Sequence, residues 1–145
     1  MIAFIDSTVF LRKLLGEPHS LREWETITEA YASRLVRVEI GRTIDRLRML
    51  GSITDAQVVR LQLESRRIMD SVDLIELNDD VLERAAGPMP TVVGSLDAVH
   101  VSSALELEKT LEKRVTLLTH DEQLGAAAAA SGMKVLGLFR YKPKE

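Results

Sequence analysis

Four acids stand where a carboxylate can do more than meet solvent: Asp6, Glu39, Asp97 and Asp121. Asp6 closes the apolar run MIAFI, Asp121 follows VTLLT (115–119), and Asp97 falls in the first turn of the apolar stretch SLDAVHVSSALELE (95–108). Each has an ordinary explanation when taken alone. Asp6 could end a strand or cap the next helix. Asp97 and Asp121 fall in first helical turns, where a carboxylate gains roughly 0.3–1 kcal/mol from the helix dipole. Glu39 lies mid-helix at the edge of an apolar stripe, next to Ile40 and with Arg42 at i+3. It is therefore near the surface, paired, or part of a polar site, because burying it unpaired is costly. Gathered together, the four would repel one another and raise their own pKa values unless a cation were present. Magnesium or manganese suits such a cluster, since both prefer carboxylate oxygen and water. A bound ion of this kind polarises a phosphate, activates water and stabilises a leaving oxygen. It also lets a negative substrate enter an acidic pocket.

The elements that must bring these acids together are legible in the pattern. Met1–Ile5 reads as a buried strand and Ser7–Leu15 as a helix capped by Asp6 or Ser7. Gly16, Pro18 and Ser20 mark a loop, followed by a short helix near Leu21–Thr26 and a short strand near Ala30–Ser33. Arg34–Leu50 is a helix closed by Gly51, with Val36, Ile40, Ile44 and Leu47 at helical spacing. Thr54 and Gln57 form a capping box for a helix running to about Asp70. VDLIEL (72–77) is a strand, and Asn78 or Asp79 opens a short helix that stops at Gly87-Pro88. After the loop Gly87–Gly94 and the helix bearing Asp97, VTLLT is a second clear strand. Thr119 and Glu122 read as another capping box, for a helix through the alanine run Ala126–Ala130 that ends at Ser131-Gly132. KVLGL (134–138) is the last strand, and the tail YKPKE reads as exposed. Alternating strands and helices predict one α/β domain over residues 1–145, with a mainly parallel central sheet and helices on both faces. Ligands of such sheets bind at the carboxyl ends of strands, where Asp6 and Asp121 lie.

Other chemistries fail on the same residues. The chain has no cysteine, so thiolate nucleophiles, disulfides and thiolate metal sites are excluded. There is no GxGxxG, GxxxxGK[ST] or GxSxG, and Asp6-Ser7-Thr8 lacks the second Asp of an aspartyl-phosphate phosphatase. His19, His100 and His120 show no metal-ligand spacing, and His100 reads as a hydrogen-bonded packing residue inside its apolar helix. The net charge of −3 argues against phosphate binding by bulk charge. Arg34, Arg37, Arg42, Arg46 and Arg48 crowd one helix, and Arg60, Arg66 and Arg67 another. They read as solvated helix faces first and as RNA-backbone contacts second. No signal peptide or membrane-spanning run is evident, and the absence of cysteine fits a reducing compartment. A cytoplasmic protein is expected.

Four segments carry a family resemblance: FIDST (4–8), RVEIGRTI (37–44), SLDAVHVSSAL (95–105) and LLTHDEQL (117–124). In order and spacing they resemble the PIN-domain ribonucleases, specifically the VapC-type toxins of type II toxin–antitoxin systems, over essentially the whole chain. The resemblance implies an endoribonuclease dependent on Mg²⁺ or Mn²⁺. Asp6, Glu39, Asp97 and Asp121 would be its metal-binding and catalytic carboxylates, with Ser7 and Thr119 as accessory hydroxyls. Its products would be a 5′-phosphate and a 3′-hydroxyl. It also implies a homodimer and a cognate antitoxin whose C-terminal segment fills the groove. A PIN nuclease of RNA processing without an antitoxin, or a catalytically silent PIN scaffold binding RNA or protein, would share the fold. Intact acids at all four positions speak against the silent scaffold.

Overall fold

The computed structural model describes residues 1–139; the tail YKPKE, expected to be exposed, lies outside them. Five strands form one sheet: β1 (Ile2–Ile5), β2 (Glu29–Ser33), β3 (Asp73–Ile75), β4 (Thr116–Leu118) and β5 (Lys134–Leu136). Their order is β3-β2-β1-β4-β5, and every neighbouring pair is parallel. The sheet expected to be mainly parallel is wholly parallel among the described residues. Six α-helices connect and cover it: α1 (Ser7–Leu14), α2 (Leu35–Met49), α3 (Asp55–Asp70), α4 (Asp79–Ala86), α5 (Ser95–Leu111) and α6 (Glu122–Ala130). A 3-10 helix, Arg22–Thr26, precedes β2.

The two-residue alternation of a strand explains why β1 is apolar throughout. Ala3 and Ile5 point into a core with Val9, Phe10, Val36, Ile40, Ile44 and Leu61, contributed by α1, α2 and α3. Phe4 points the other way, to Val101, Ala104, Leu107, Leu124 and Ala127 of α5 and α6. In β4, Leu118 joins the first core and Leu117 the second. A strand covered on both faces has no solvent side, so it reads as a continuous run. Each fully buried Phe, Leu or Ile side chain contributes roughly 1.5–3 kcal/mol, so β1 and β4 are anchored by packing on both faces. In the alanine run, Ala127 and Ala128 are wholly buried while Ala126, Ala129 and Ala130 are exposed.

The helix starts place the acids. Thr54 and Gln57 form the expected capping box on α3. The capping box expected from Thr119 and Glu122 does not form. Asp121, rather than Thr119, is the N-cap of α6, one residue ahead of the first turn, accepting the backbone N–H of Gln123 at 2.8 Å and of Leu124 at 3.0 Å. Thr119 still belongs to the strand end: its N–H bonds Leu136, and its hydroxyl is turned to Asp6. Asp97 occupies the first turn of α5 behind Gly94. Because β1 is flanked by β2 on one side and β4 on the other, the chain reverses its direction of travel across the sheet between β1 and β4. The crevice outside their carboxyl ends is where a parallel sheet receives a ligand.

Candidate active site

Asp6 is the N-cap of α1 and only 3% exposed. Its Oδ2 accepts three hydrogen bonds: from the Thr8 backbone N–H (3.3 Å), the Thr8 hydroxyl (2.6 Å) and the Thr119 hydroxyl (2.9 Å). Its Oδ1 is much less engaged, with Ser7 Oγ at 3.5 Å and His100 Nε2 at 3.7 Å. One oxygen is thus anchored to the strand ends and the other faces inward. Glu39 reaches across from α2, where Ser7 Oγ donates to its Oε2 at 3.0 Å and His100 Nε2 lies 2.6 Å from its Oε1. Arg42, the helical neighbour available to it, pairs with Asp45 instead at 2.9 Å. Asp97 lies one turn before His100 on α5, and none of the described residues donates a hydrogen bond to its carboxylate. Asp121 uses Oδ1 to cap α6. Its own backbone N–H donates to Thr119 Oγ1 at 3.0 Å, so Thr119 ties Asp121 and Asp6 together.

The acids feel one another. The Asp97 carboxyl is pushed above its ordinary pKa by burial first, then by the charges of Asp121, Asp6 and Glu39, with His100 pulling it back. For His100 burial works against the charged ring, yet the hydrogen bond to Glu39 and the charges of Asp6, Glu39 and Asp97 outweigh it and raise its pKa. The structure therefore brings all four predicted acids into one electrostatic neighbourhood. The tightest part of that neighbourhood is Asp6, Glu39 and His100, whose potential ligand atoms lie within 4.8 Å of one another. Asp97 and Asp121 border this inner group.

His100 corrects the sequence reading. It is buried and hydrogen-bonded, as a packing residue would be, but its partner is a site carboxylate 61 residues away. A search for ligand spacing along the chain passes over such a pair. The usable signal was helical phase, since Asp97 and His100 at i and i+3 share one face of α5. His19 and His120 stay outside the inner group, and His120 Nδ1 bonds the Gly137 carbonyl at 2.7 Å. Among the arginines, Arg42 and Arg48 pair with Asp45, Arg60 with Glu64 and Arg34 with Glu76. Arg37 and Arg66 line a cleft of about 400 Å³ between α2 and α3.

The donor set fits a hard divalent cation. It is rich in carboxylate oxygen, Asp6 keeps an inward oxygen, and among the described residues only His100 offsets the charge of Asp97. Hard cations take such oxygens readily. Asp6, Glu39, Asp97 and Asp121 are the residues that could hold one.

Comparison with known proteins agrees with this layout. The chain is 28% identical over 140 residues to Ribonuclease VapC47 of Mycobacterium tuberculosis, covering 89% of this chain and 96% of that protein. It is 28% identical over 136 residues to Ribonuclease VapC46 of the same species, covering 92% and 95%. Its fold is similar to that of VapBC2 from Rickettsia felis bound to a promoter DNA fragment, with TM-score 0.67, 11% identity and coverage of 94% and 98%. It is also similar to a toxin–antitoxin complex from Klebsiella pneumoniae, with TM-score 0.61, 12% identity and coverage of 92% and 95%. The PIN domain family model matches residues 3–130, which include all four acids. The chain belongs to the PIN domain family.

Proposed function

We propose that the protein is an endoribonuclease dependent on Mg²⁺ or Mn²⁺, acting as the toxin of a toxin–antitoxin pair. The observation that carries this reading is the convergence of Asp6, Glu39, Asp97 and Asp121 around the carboxyl ends of β1 and β4 in a PIN-domain chain. When bound, a divalent ion supplies the positive charge that polarises a phosphodiester and lowers the pKa of attacking water. The chain's own contribution is to position its donors. Thr8 and Thr119 hold Asp6 Oδ2 and so turn Oδ1 inward. Ser7 holds Glu39 Oε2. Asp97, which accepts no hydrogen bond from the described residues and is pushed up by burial and by the neighbouring acids, gains from a nearby cation. Arg37 and Arg66 provide positive charge for an RNA backbone outside this acidic centre.

The curated relatives are named as ribonucleases, one structural neighbour is described as a toxin–antitoxin complex and the other as VapBC2 bound to promoter DNA. They support RNA as substrate and a cognate antitoxin as partner; hydrolysis to 5′-phosphate and 3′-hydroxyl ends belongs to the same proposal. A homodimer is part of the same reading; Leu82, Val92 and Leu96 stay exposed around α4 and the start of α5 and offer apolar surface to it. Among the described residues no helix is long and apolar enough to cross a membrane, and we place the protein in the cytoplasm with its RNA.

The decisive assay is cleavage of RNA by the purified protein with Mg²⁺ or Mn²⁺, with and without EDTA, beside Asp97→Asn. Cleavage that needs the ion and is lost in the variant is expected. Equal cleavage by both proteins would sink the metal-site assignment. Induced expression should arrest growth, and Asp6→Ala should abolish the arrest; arrest by the variant would point to a different mechanism.

A further inference from the structure

We infer that His100 is a positioning residue, whose Nε2–H clamps Glu39 in the orientation that lets it share a cation with Asp6. The inference rests on the metal-nuclease reading and assigns a task inside it that none of the four acids performs. Glu39 is the one site acid delivered by α2, on a flexible side chain of three torsions, whereas Asp6 and Asp121 are short and double as helix caps. Its carboxylate is gripped at both oxygens, by Ser7 Oγ at 3.0 Å on Oε2 and by His100 Nε2 at 2.6 Å on Oε1. The His100 ring is only 1% exposed and rides on α5, on the face it shares with Asp97, so it has little freedom of its own.

The hydrogen-bond inventory places a proton on Nε2 whether the ring is neutral or charged. A carboxylate accepts only, so the contact to Glu39 Oε1 requires a hydrogen on Nε2. The opposite tautomer would aim the Nε2 lone pair at two carboxylates and leave Nδ1–H as a buried donor, and Nδ1 has no hydrogen-bond partner among the described residues. A nitrogen that bears a proton has no lone pair for a metal. Although Nε2 lies within ligand distance of Asp6 and Glu39, it therefore acts on a cation through Glu39 and not as a ligand itself. Partners of this kind orient ligands, and their loss typically weakens metal binding by roughly 10–100-fold.

Two measurements test this without relying on cleavage. In the first, Mn²⁺ binding is titrated by calorimetry for wild type, His100→Phe, His100→Gln, Glu39→Gln and the double variant His100→Phe/Glu39→Gln. Loss of the donor in His100→Phe should weaken binding by about 10–100-fold. His100→Gln, which returns an N–H near the position of Nε2, should recover most of it. Once Glu39→Gln is present, His100→Phe should weaken binding no further. Additive losses, or no rescue by Gln, would overturn the clamp. The second measurement uses the wild-type protein alone and so does not depend on any variant folding. Long-range ¹H–¹⁵N spectra should show a protonated Nε2 for His100 in EDTA, and it should stay protonated as Mg²⁺ is added. An Nε2 that is unprotonated in EDTA, or that loses its proton as Mg²⁺ binds, would refute the assignment. If wild type bound neither ion, the nuclease reading would fail, while the protonation seen in EDTA would still decide the clamp.

Discussion

Replacing Thr119 by Val keeps the shape of a wholly buried side chain and removes only its hydroxyl. That hydroxyl donates to Asp6 Oδ2 at 2.9 Å and accepts from the Asp121 N–H at 3.0 Å. A hydrogen bond to a charged group is worth about 1.5–3 kcal/mol, and an N–H left without its acceptor costs about 1–3 kcal/mol. Asp6 Oδ2 keeps both of its bonds from Thr8, which pulls the first figure to its lower end. Asp121 is only half-buried, which lets water relieve the second. The expected loss is therefore about 2–4 kcal/mol. For a chain of this length it corresponds to a fall in Tm of roughly 6–15 °C. Scanning calorimetry in EDTA measures it without interference from bound ions. Thr119→Ser is the control: it returns the hydroxyl and gives up one methyl, at a cost of about 1 kcal/mol. If Val melted at the wild-type temperature, and so above Ser, the hydroxyl would contribute nothing and the linkage of Asp6 to Asp121 would be wrong.

Three more outcomes follow from the same geometry. The raised pKa of Asp97, caused by burial and then by the charges of Asp121, Asp6 and Glu39, means the folded chain holds a proton there more tightly than the unfolded chain does. Its contribution favours folding at low pH and is lost as pH rises through the folded-state pKa. Asp97→Asn in EDTA at neutral pH should therefore melt at or above the wild-type temperature; a clearly lower Tm would show that the charge is compensated. Gly137 has φ +97°, and a Cβ there would lie 2.6 Å from the Thr119 carbonyl oxygen. Gly137→Ala should thus destabilise by at least about 1–2 kcal/mol, measured by urea unfolding, and an unchanged midpoint would contradict the close approach of the two strand ends. Saturating Mn²⁺ should raise the wild-type Tm, by an amount equivalent to about 2.7 kcal/mol at a hundred times Kd, and should leave the Tm of Asp6→Ala nearly where EDTA puts it. Equal shifts in the two proteins would place the ion elsewhere.

The local code was readable because each part has a local cause. The apolar runs at 1–5 and 115–119 are strands covered on both faces, and the four-residue spacing of Val36, Ile40 and Ile44 is the buried stripe of α2. Thr54 and Gln57 cap α3 because both partners lie within one turn. Asp6 as a cap and Asp97 as a first-turn acid were equally visible. Thr119 shows where local rules stop. Its spacing to Glu122 suits a capping box, but a hydroxyl at the end of β4 meets Asp6 at the end of β1, 113 residues away, and that bond prevails. The charge-assisted bond is stronger than a neutral cap, and Asp121 was free to cap in its place. His100 is the same case from the other side. Nothing near it in the sequence announces Glu39, because α2 and α5 meet only once the sheet has ordered them. What the sequence determined by itself was the set of acids, the elements bearing them and the family they match. Which oxygen of each acid is anchored, which is left open and which neighbours do the anchoring depend on contacts between elements far apart in the chain, and only the tertiary structure decides those.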